Sequence, residues 1–237
     1  MSTLLLRLAG PMQSWGTQSR FTVRDTGMEP SKSGVIGLLC AALGRPRWEP
    51  LDDLIVLRLG IRVDREGRME QDYQTAGGVQ THQGRYGVAL ADGKGTRPVV
   101  STRYYLADAD FLVGLEGDAA LLARIDAALV HPVWPLALGR KSYVPGAPIR
   151  LPDEEPCGPG LRTGALEEEL RAYPWPAPRY EGDRVPTGPL RLVMDAEDEA
   201  TAFEVRNDVP LSFAVGNRRF TSRVVAYGTV TRDEVRS

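Results

Sequence analysis

The stretch Thr3-Leu-Leu-Leu-Arg-Leu-Ala-Gly-Pro-Met-Gln-Ser-Trp-Gly16 decides how the rest of the chain is parsed. Thr3 to Ala9 is an apolar run broken only by Arg7 and closed by Gly10-Pro11, the pattern of a buried strand entering a turn. The run is too short for a signal h-region, and no later segment approaches the length of a membrane span. Past the turn, Gln13, Ser14 and Trp15 follow a rigid base, as binding-loop residues do. An indole there offers a flat face to a nucleobase, and Gln13 and Ser14 offer donors and acceptors to phosphates or base edges. The same three residues equally suit a turn in which Trp15 plugs the core and its polar neighbours satisfy the backbone.

Working outward, a Gly-containing polar loop leads to Pro30. Ser31 or Ser33 then caps a helix through Val35, Ile36, Leu38, Leu39, Ala42 and Leu43, which Gly44 and Pro46 stop. A second strand is read over Asp53 to Asp64 from alternation in its latter half. Residues Arg65 to Arg103 are rich in Gly, Gln, Thr and Arg and form a flexible insertion or an extended hairpin. Tyr104 to Leu115 is a strand and Asp118 to Val130 a helix with apolar residues at helical spacing. A Pro- and Gly-rich segment from His131 to Pro159, a helical piece at Ala165 to Tyr173 and a polyproline-type linker to Tyr180 follow. The remainder alternates short apolar runs with turns and is mostly β. This order is α+β and compatible with a ferredoxin-like βαββαβ core, a topology that hosts many functions.

Composition narrows the class without choosing a function. The 237 residues are 42% hydrophobic and 25% charged, enough apolar surface for a core, so wholesale disorder is not expected. A formal net charge of -2 carries no global polyanion-binding signature, and a nucleic-acid site must come from local clustering of the 29 Lys and Arg residues. Cys40 and Cys157 are too far apart and too few for a zinc site or a disulfide framework, and two reduced thiols in a cytoplasmic protein are expected.

Four further clusters invite a ligand. Pro30-Ser-Lys-Ser-Gly34 sets Lys32 and Ser33 at a helix start, where free N–H groups and the macrodipole favour an anion, although ordinary capping explains the same residues. It lacks the GxxxxGK[ST] spacing of a nucleotide-hydrolysing loop. Arg20, Arg24 and Arg45 flank it and would form a basic rim if the loop folds over the helix start. In the insertion, Arg85, Lys94, Arg97 and Arg103 interleave with Tyr86, Tyr104 and Tyr105, as residues gripping single strands do. Gly139-Arg-Lys-Ser142 makes Arg140 and Lys141 a candidate phosphate clamp. The catalytic inventory is thin: His82 is the one candidate general acid or base for RNA cleavage, and His131 reads as a helix-end residue.

Leu6-Arg-Leu-Ala-Gly-Pro-Met-Gln-Ser-Trp-Gly16, Pro30-Ser-Lys-Ser-Gly-Val-Ile-Gly-Leu-Leu39 with Leu43-Gly44, and Leu138-Gly-Arg-Lys-Ser142 together resemble the fifth CRISPR-associated protein family in its type I-E branch, with Asp72-Tyr73 and Thr102 to Phe111 as a further match. The resemblance implies a modified ferredoxin-like, RRM-like palm over residues 1–150, a β-hairpin thumb inserted at about residues 63–105, and a mostly β extension over 151–237 packed on the palm. It implies a noncatalytic subunit that caps the repeat-derived five-prime handle of a crRNA in an antiviral Cascade complex. Its neighbours would be the backbone subunit and the large PAM-reading subunit, with target DNA met indirectly, and no homo-oligomer, cofactor, metal or membrane is implied. Gln13, Ser14 and Trp15 match the family's loop after the first strand, Lys32 and Ser33 its helix start, and Arg103 its thumb base. The type I-C branch cleaves precursor RNA with a Tyr, Lys and His set, for which this sequence offers no clear equivalent, and a metal-independent endoribonuclease is therefore the alternative.

Overall fold

The computed structural model describes residues 1–17, 22–78, 80–81, 84–85, 87–90, 95–154, 158–178, 181, 183, 185–196 and 203–235. Strand β1 spans Ser2–Ala9, and its side chains divide cleanly: Leu4, Leu6 and Leu8 enter one core and Leu5 the opposite one. A strand apolar on both faces belongs inside a sheet covered on both sides. Two short strands, β2 (Met12–Gln13) and β3 (Val23–Arg24), precede helix α1 (Lys32–Leu43), the single turn α2 (Asp52–Ile55), β4 (Arg58–Arg65) and β5 (Arg68–Ala76). Four two-residue strands follow as β6 (Gln80–Thr81), β7 (Gly84–Arg85), β8 (Val88–Ala89) and β9 (Thr96–Arg97), then β10 (Val99–Ala107) and β11 (Asp110–Gly117). The chain continues as α3 (Ala119–Val130), β12 (Leu161–Arg162), α4 (Leu166–Ala172), β13 (Leu190–Asp195), β14 (Glu204–Ser212) and β15 (Arg219–Val230).

The order along the main sheet is β12-β1-β11-β4-β13-β15-β14, with antiparallel pairing at every step. The last third of the chain thus contributes four strands to the sheet that β1 begins. A second sheet centres on β10, paired along its length with β5 and at its other edge with β2 and β3. Helices α1 and α3 cover one face of the main sheet around Leu4, Phe111, Val113 and Ile125, while α4 covers the other through Leu166 and Leu170. The protein is α+β, mostly sheet with few helices, and among the described residues no helix is long and apolar enough to cross a membrane.

Local chemistry explains the boundaries. Ser31 caps α1 by accepting from the Gly34 N–H at 3.2 Å, and Gly44, at φ 71°, ends it in a left-handed turn. Asp118 caps α3 by accepting from the Leu121 N–H at 2.8 Å. The expected strand over Asp53 to Asp64 divides: Asp52 and Asp53 open the helical turn α2 with Leu54 buried, and the strand begins only at Arg58. Two acidic residues at a helix start complement its dipole, and a propensity for strand in the next few residues does not outweigh that. The strand expected from Tyr104 to Leu115 breaks at Asp108, whose φ of 58° turns the chain from the β10 sheet into the main one. The insertion reads as an extended hairpin, since β5 and β10 pair from Arg68 with Ala107 to Ala76 with Val99.

One buried cation ties the layers together. Arg62 on β4 is wholly buried, pairs with the Asp64 carboxylate at 2.7 Å and donates to the carbonyls of Leu170, Tyr173 and Pro174 at the end of α4. A guanidinium has enough donors to satisfy that cluster at once, which a lysine would not. Burial pushes the Asp64 carboxyl up to about 6 despite Arg62 beside it.

Candidate nucleic-acid interface

Three of the sequence motifs meet along α1. The Ser14 N–H donates to the Leu138 carbonyl at 3.1 Å, pinning the 138–143 turn against the segment that leaves β1. At Gly139, φ is 89°, and a Cβ there would collide with the Ser14 carbonyl oxygen, so only glycine permits this approach. Trp15 lies against α1 where Gly34 leaves room, a Cβ at Gly34 falling 2.7 Å from the indole. The loop after Trp15 is held in turn: the Trp15 N–H donates to Thr26 Oγ1 at 2.9 Å, and Arg140 reaches the Arg24 carbonyl at 3.3 Å.

These contacts bound an open groove of about 1300 Å³ running beside α1, from Ser31 and Ser33 past Gly37 and Ala41 to the turn after the helix. Its cationic lining residues are Arg24, Arg45, Arg47, Arg140, Lys141 and Arg218, against Asp25 as the acid. Six positive groups line it against one negative group, five once Arg45 is set against its own carboxylate partners, and they create a local field that the net charge of -2 conceals. Their engagement differs. Arg45 is held by Asp53 at 2.6 and 2.5 Å and by Glu49 at 3.4 Å, and its hydrogen bond keeps the Asp53 carboxyl below its ordinary value. Arg140 stacks on the Tyr143 ring at 5.4 Å and donates to its hydroxyl at 2.8 Å, and it has no anionic partner among the described residues. Arg24, Arg47, Lys141 and Arg218 form no ion pair among the described residues.

Several expected contact residues turn inward instead. Gln13 is fully buried: its amide donates to the Leu8 and Ala109 carbonyls at 3.0 and 2.8 Å, and its oxygen accepts from the Trp15 indole N–H at 3.1 Å. Trp15 is 1% exposed and forms the groove floor beneath α1, not a platform a base could cover. The plugged-turn reading of these two is the one the structure adopts, because an indole ring buried with its N–H satisfied is more stable than one left in water. Ser14 is buried as well, its hydroxyl near the carbonyls of Asp25 and Tyr104 at 3.4 Å.

The helix start likewise supplies its own anion. Lys32 is buried, its ammonium paired with Asp195 at 2.9 Å and its backbone N–H donating to Asp208 at 2.8 Å. Arg223 binds Asp208 at 2.7 Å and also Asp195, completing a closed cluster of two cations and two carboxylates. A phosphate expected at Lys32 would have to displace the Asp208 carboxylate that already meets the helix dipole. Ser33 still borders the groove. Arg103, on β10, donates to the Ser101 hydroxyl at 3.1 Å and does not line the groove. Arg20 and His82 lie outside the described residues.

In sequence and fold the chain is similar to known proteins. The family described as CRISPR-associated protein (Cas_Cas5) matches residues 3–230, nearly the whole chain. The chain belongs to the Cas5 family. Among relatives, the Escherichia coli (strain K12) protein "CRISPR system Cascade subunit CasD" is 32% identical over 154 residues, covering 60% of this chain and 66% of the relative, just under two thirds of its length. A solved structure described as a Cas protein shares 40% identity with a TM-score of 0.73, covering 99% of this chain and 98% of the other. Another, described as a CRISPR RNA-guided surveillance complex, shares 37% identity with a TM-score of 0.79, covering 98% and 92%.

In this Cas5 chain the groove also contains residues that sequence reasoning passed over: Arg47, Trp48, Trp134, Phe213 and Arg218. Arg47-Trp48 adjacent to the helix stop at Gly44 was a usable signal, a cation beside an aromatic in a turn; Arg218 and Phe213 come from the β14–β15 connection, whose return to α1 no local pattern announces. For chemistry, the described residues hold no group of three or more His, Cys, Asp or Glu arranged for a metal. His131 is exposed at the end of α3, as a helix-end residue would be.

Proposed function

We propose that this groove seats single-stranded RNA, the five-prime repeat-derived handle of a crRNA, and that the chain is the noncatalytic capping subunit of a type I-E Cascade complex. The observation that carries the reading is the charge of the groove: six cations to one acid, on a surface assembled from the three motifs that single out the family. The E. coli relative bears the name of a Cascade subunit, and the 37%-identical neighbour is described as an RNA-guided surveillance complex, which supports membership of such an assembly. Contact to the backbone subunit and to the large PAM-reading subunit belongs to the same proposal.

The fold supports a finer description. With β12, β1, β11 and β4 taken as one unit, the antiparallel order is that of the fourth, first, third and second strands of a βαββαβ motif, with α1 and α3 on one face. We read this as a ferredoxin-like palm of residues 1–150 whose fourth strand, β12, is supplied by the start of the extension, the β5–β10 hairpin near residues 63–105 as its thumb, and the rest of residues 151–237 as an extension that continues the palm sheet through β13, β15 and β14. RNA contact falls to Arg24, Arg47, Arg140, Lys141 and Arg218, with Ser33 beside them, while Gln13, Trp15, Lys32 and Arg45 shape the surface. Arg103 at the thumb base remains a contact for RNA beyond the groove.

The test is to isolate the complex from its host, sequence the bound RNA and map zero-length crosslinks. Crosslinks from handle nucleotides to peptides carrying Arg47, Arg140–Lys141 or Arg218, with precursor RNA left uncut by the purified chain, are expected. A complex without guide RNA, or crosslinks confined to other surfaces, would refute the proposal.

A further inference from the structure

A groove that only neutralised phosphates would need no aromatic surface, yet three of the four tryptophans line this one. Trp15 is its buried floor. Trp48 and Trp134 are different: 80% and 43% exposed, they leave large apolar faces in water beside cations that form no ion pair among the described residues. We infer that Trp48 and Trp134 are stacking platforms for unstacked bases of the bound strand, so that the groove recognises RNA in a splayed, single-stranded form and not through phosphates alone. This rests on the RNA reading given above.

Their supports argue for presentation rather than accidental exposure. Trp48 sits in the turn Pro46 to Glu49, closed by the Glu49 N–H donating to the Pro46 carbonyl at 3.1 Å. Arg45 fastens that turn through Glu49 and through the bidentate pair with Asp53 at the start of α2. Trp134 is tied to α1: the N–H groups of Val133 and Trp134 both donate at 3.1 Å, to the Ala42 and Ala41 carbonyls in its last turn. Both indoles are therefore carried by segments locked to the same end of one helix, with Arg47 next to the first. Rings carried on backbone that is fixed before binding leave only side-chain freedom to be lost when a base covers them, and base–aromatic stacking tolerates any base because each has a π-face. Charge complementarity favours a polyanion over a protein partner, since the aromatic pair lies among five cations that form no ion pair among the described residues, with Asp25 the one acid of the lining.

The test uses the full chain, three labelled octamers (oligoadenosine, oligouridine and an abasic ribose-phosphate strand) and the variants Trp48→Ala, Trp134→Ala and Arg47→Ala. Wild type should bind the base-bearing strands more tightly than the abasic one. Each tryptophan variant should lose roughly 5- to 100-fold in affinity for the base-bearing strands, the span that stacking energies per base imply, with the abasic strand and the salt dependence unchanged. Arg47→Ala should weaken all three octamers. Because Trp48 is exposed, its loss should leave the thermal midpoint in place, which separates stacking from misfolding. Equal binding of abasic and base-bearing strands, or tryptophan variants that bind like wild type while Arg47→Ala is weakened, overturns the stacking inference and leaves the RNA groove standing. Tryptophan variants that keep RNA but lose a Cascade protein partner overturn it in favour of a protein contact. Octamer binding insensitive to every groove variant, or absent, overturns both readings.

Discussion

At Gly139 a single hydrogen in place of a methyl decides whether two motifs can meet. The backbone at φ 89° and the Ser14 carbonyl in the way of any Cβ predict that Gly139→Ala lowers stability by about 2 kcal/mol or more in urea titration, with RNA affinity falling alongside because Arg140 and Lys141 ride on that turn. Asp64 gives a second residue-level prediction. With its native value near 6 and an ordinary one of 3.8, the folded protein holds a proton that the unfolded chain releases between those pH values. Stability from this group is therefore fully present below pH 3.8 and is lost as pH rises through about 6, a difference on the order of 3 kcal/mol. The stability of wild type minus that of Asp64→Asn should fall across this window and stay flat above it; a difference independent of pH would show that folding leaves the carboxyl's titration unchanged. What residue types alone conveyed was candidacy. Gln13, Trp15 and Lys32 have the chemistry of RNA contacts, but burial, which depends on partners such as Ala109, Asp195 and Asp208 up to 176 residues away, decides what they touch.

Elements were legible where a local rule sufficed. Ser31 and Gly44 bracket α1, and the apolar run of β1, broken only by Arg7, declares a buried strand. The long reach of β14 and β15 was not legible, because it is fixed by the pairing of β14 to β15, β15 to β13 and β13 to β4 and by the Lys32, Asp195, Arg223 and Asp208 cluster, both of which are tertiary. That cluster predicts that Asp208→Asn is destabilising by about 3 kcal/mol, since it leaves Arg223 short of a counter-charge in a buried site. Hydrogen exchange should quicken at the first amides of α1, and a wild-type exchange pattern in the variant would contradict this account of how the helix is anchored. Arg45 behaves oppositely. Its partners are partly exposed, so Arg45→Ala should lower stability by less than about 1 kcal/mol, while the Glu49 amide of the turn exchanges faster and RNA affinity declines.

At the scale of the molecule, a chain of net charge -2 is asked to hold a polyanion, and segregation makes this possible. The opposite side of Trp15 and Ser31 opens on a second cleft in which Glu29, Glu66 and Glu204 are paired with Arg191 and Arg206, three carboxylates to two guanidiniums, so it carries no excess of cation. In the α1 groove, Arg24, Arg47, Arg140, Lys141 and Arg218 face solvent or neutral groups and remain available to phosphates. Binding to single strands releases about 0.7 counterion per phosphate neutralised. If all five residues engage, the logarithm of the association constant should fall with the logarithm of salt concentration at a slope of about -3 to -4. Removing Arg47, Lys141 or Arg218 singly should reduce that slope by about 0.7, whereas Lys32→Met should leave it unchanged, because the Lys32 ammonium already belongs to Asp195. Anisotropy titrations of a labelled single-stranded RNA over a range of salt concentrations measure these slopes directly. A wild-type slope near zero, or a Lys32 variant that loses as much slope as the Arg47 variant, would remove the groove from the account and return the binding to another surface.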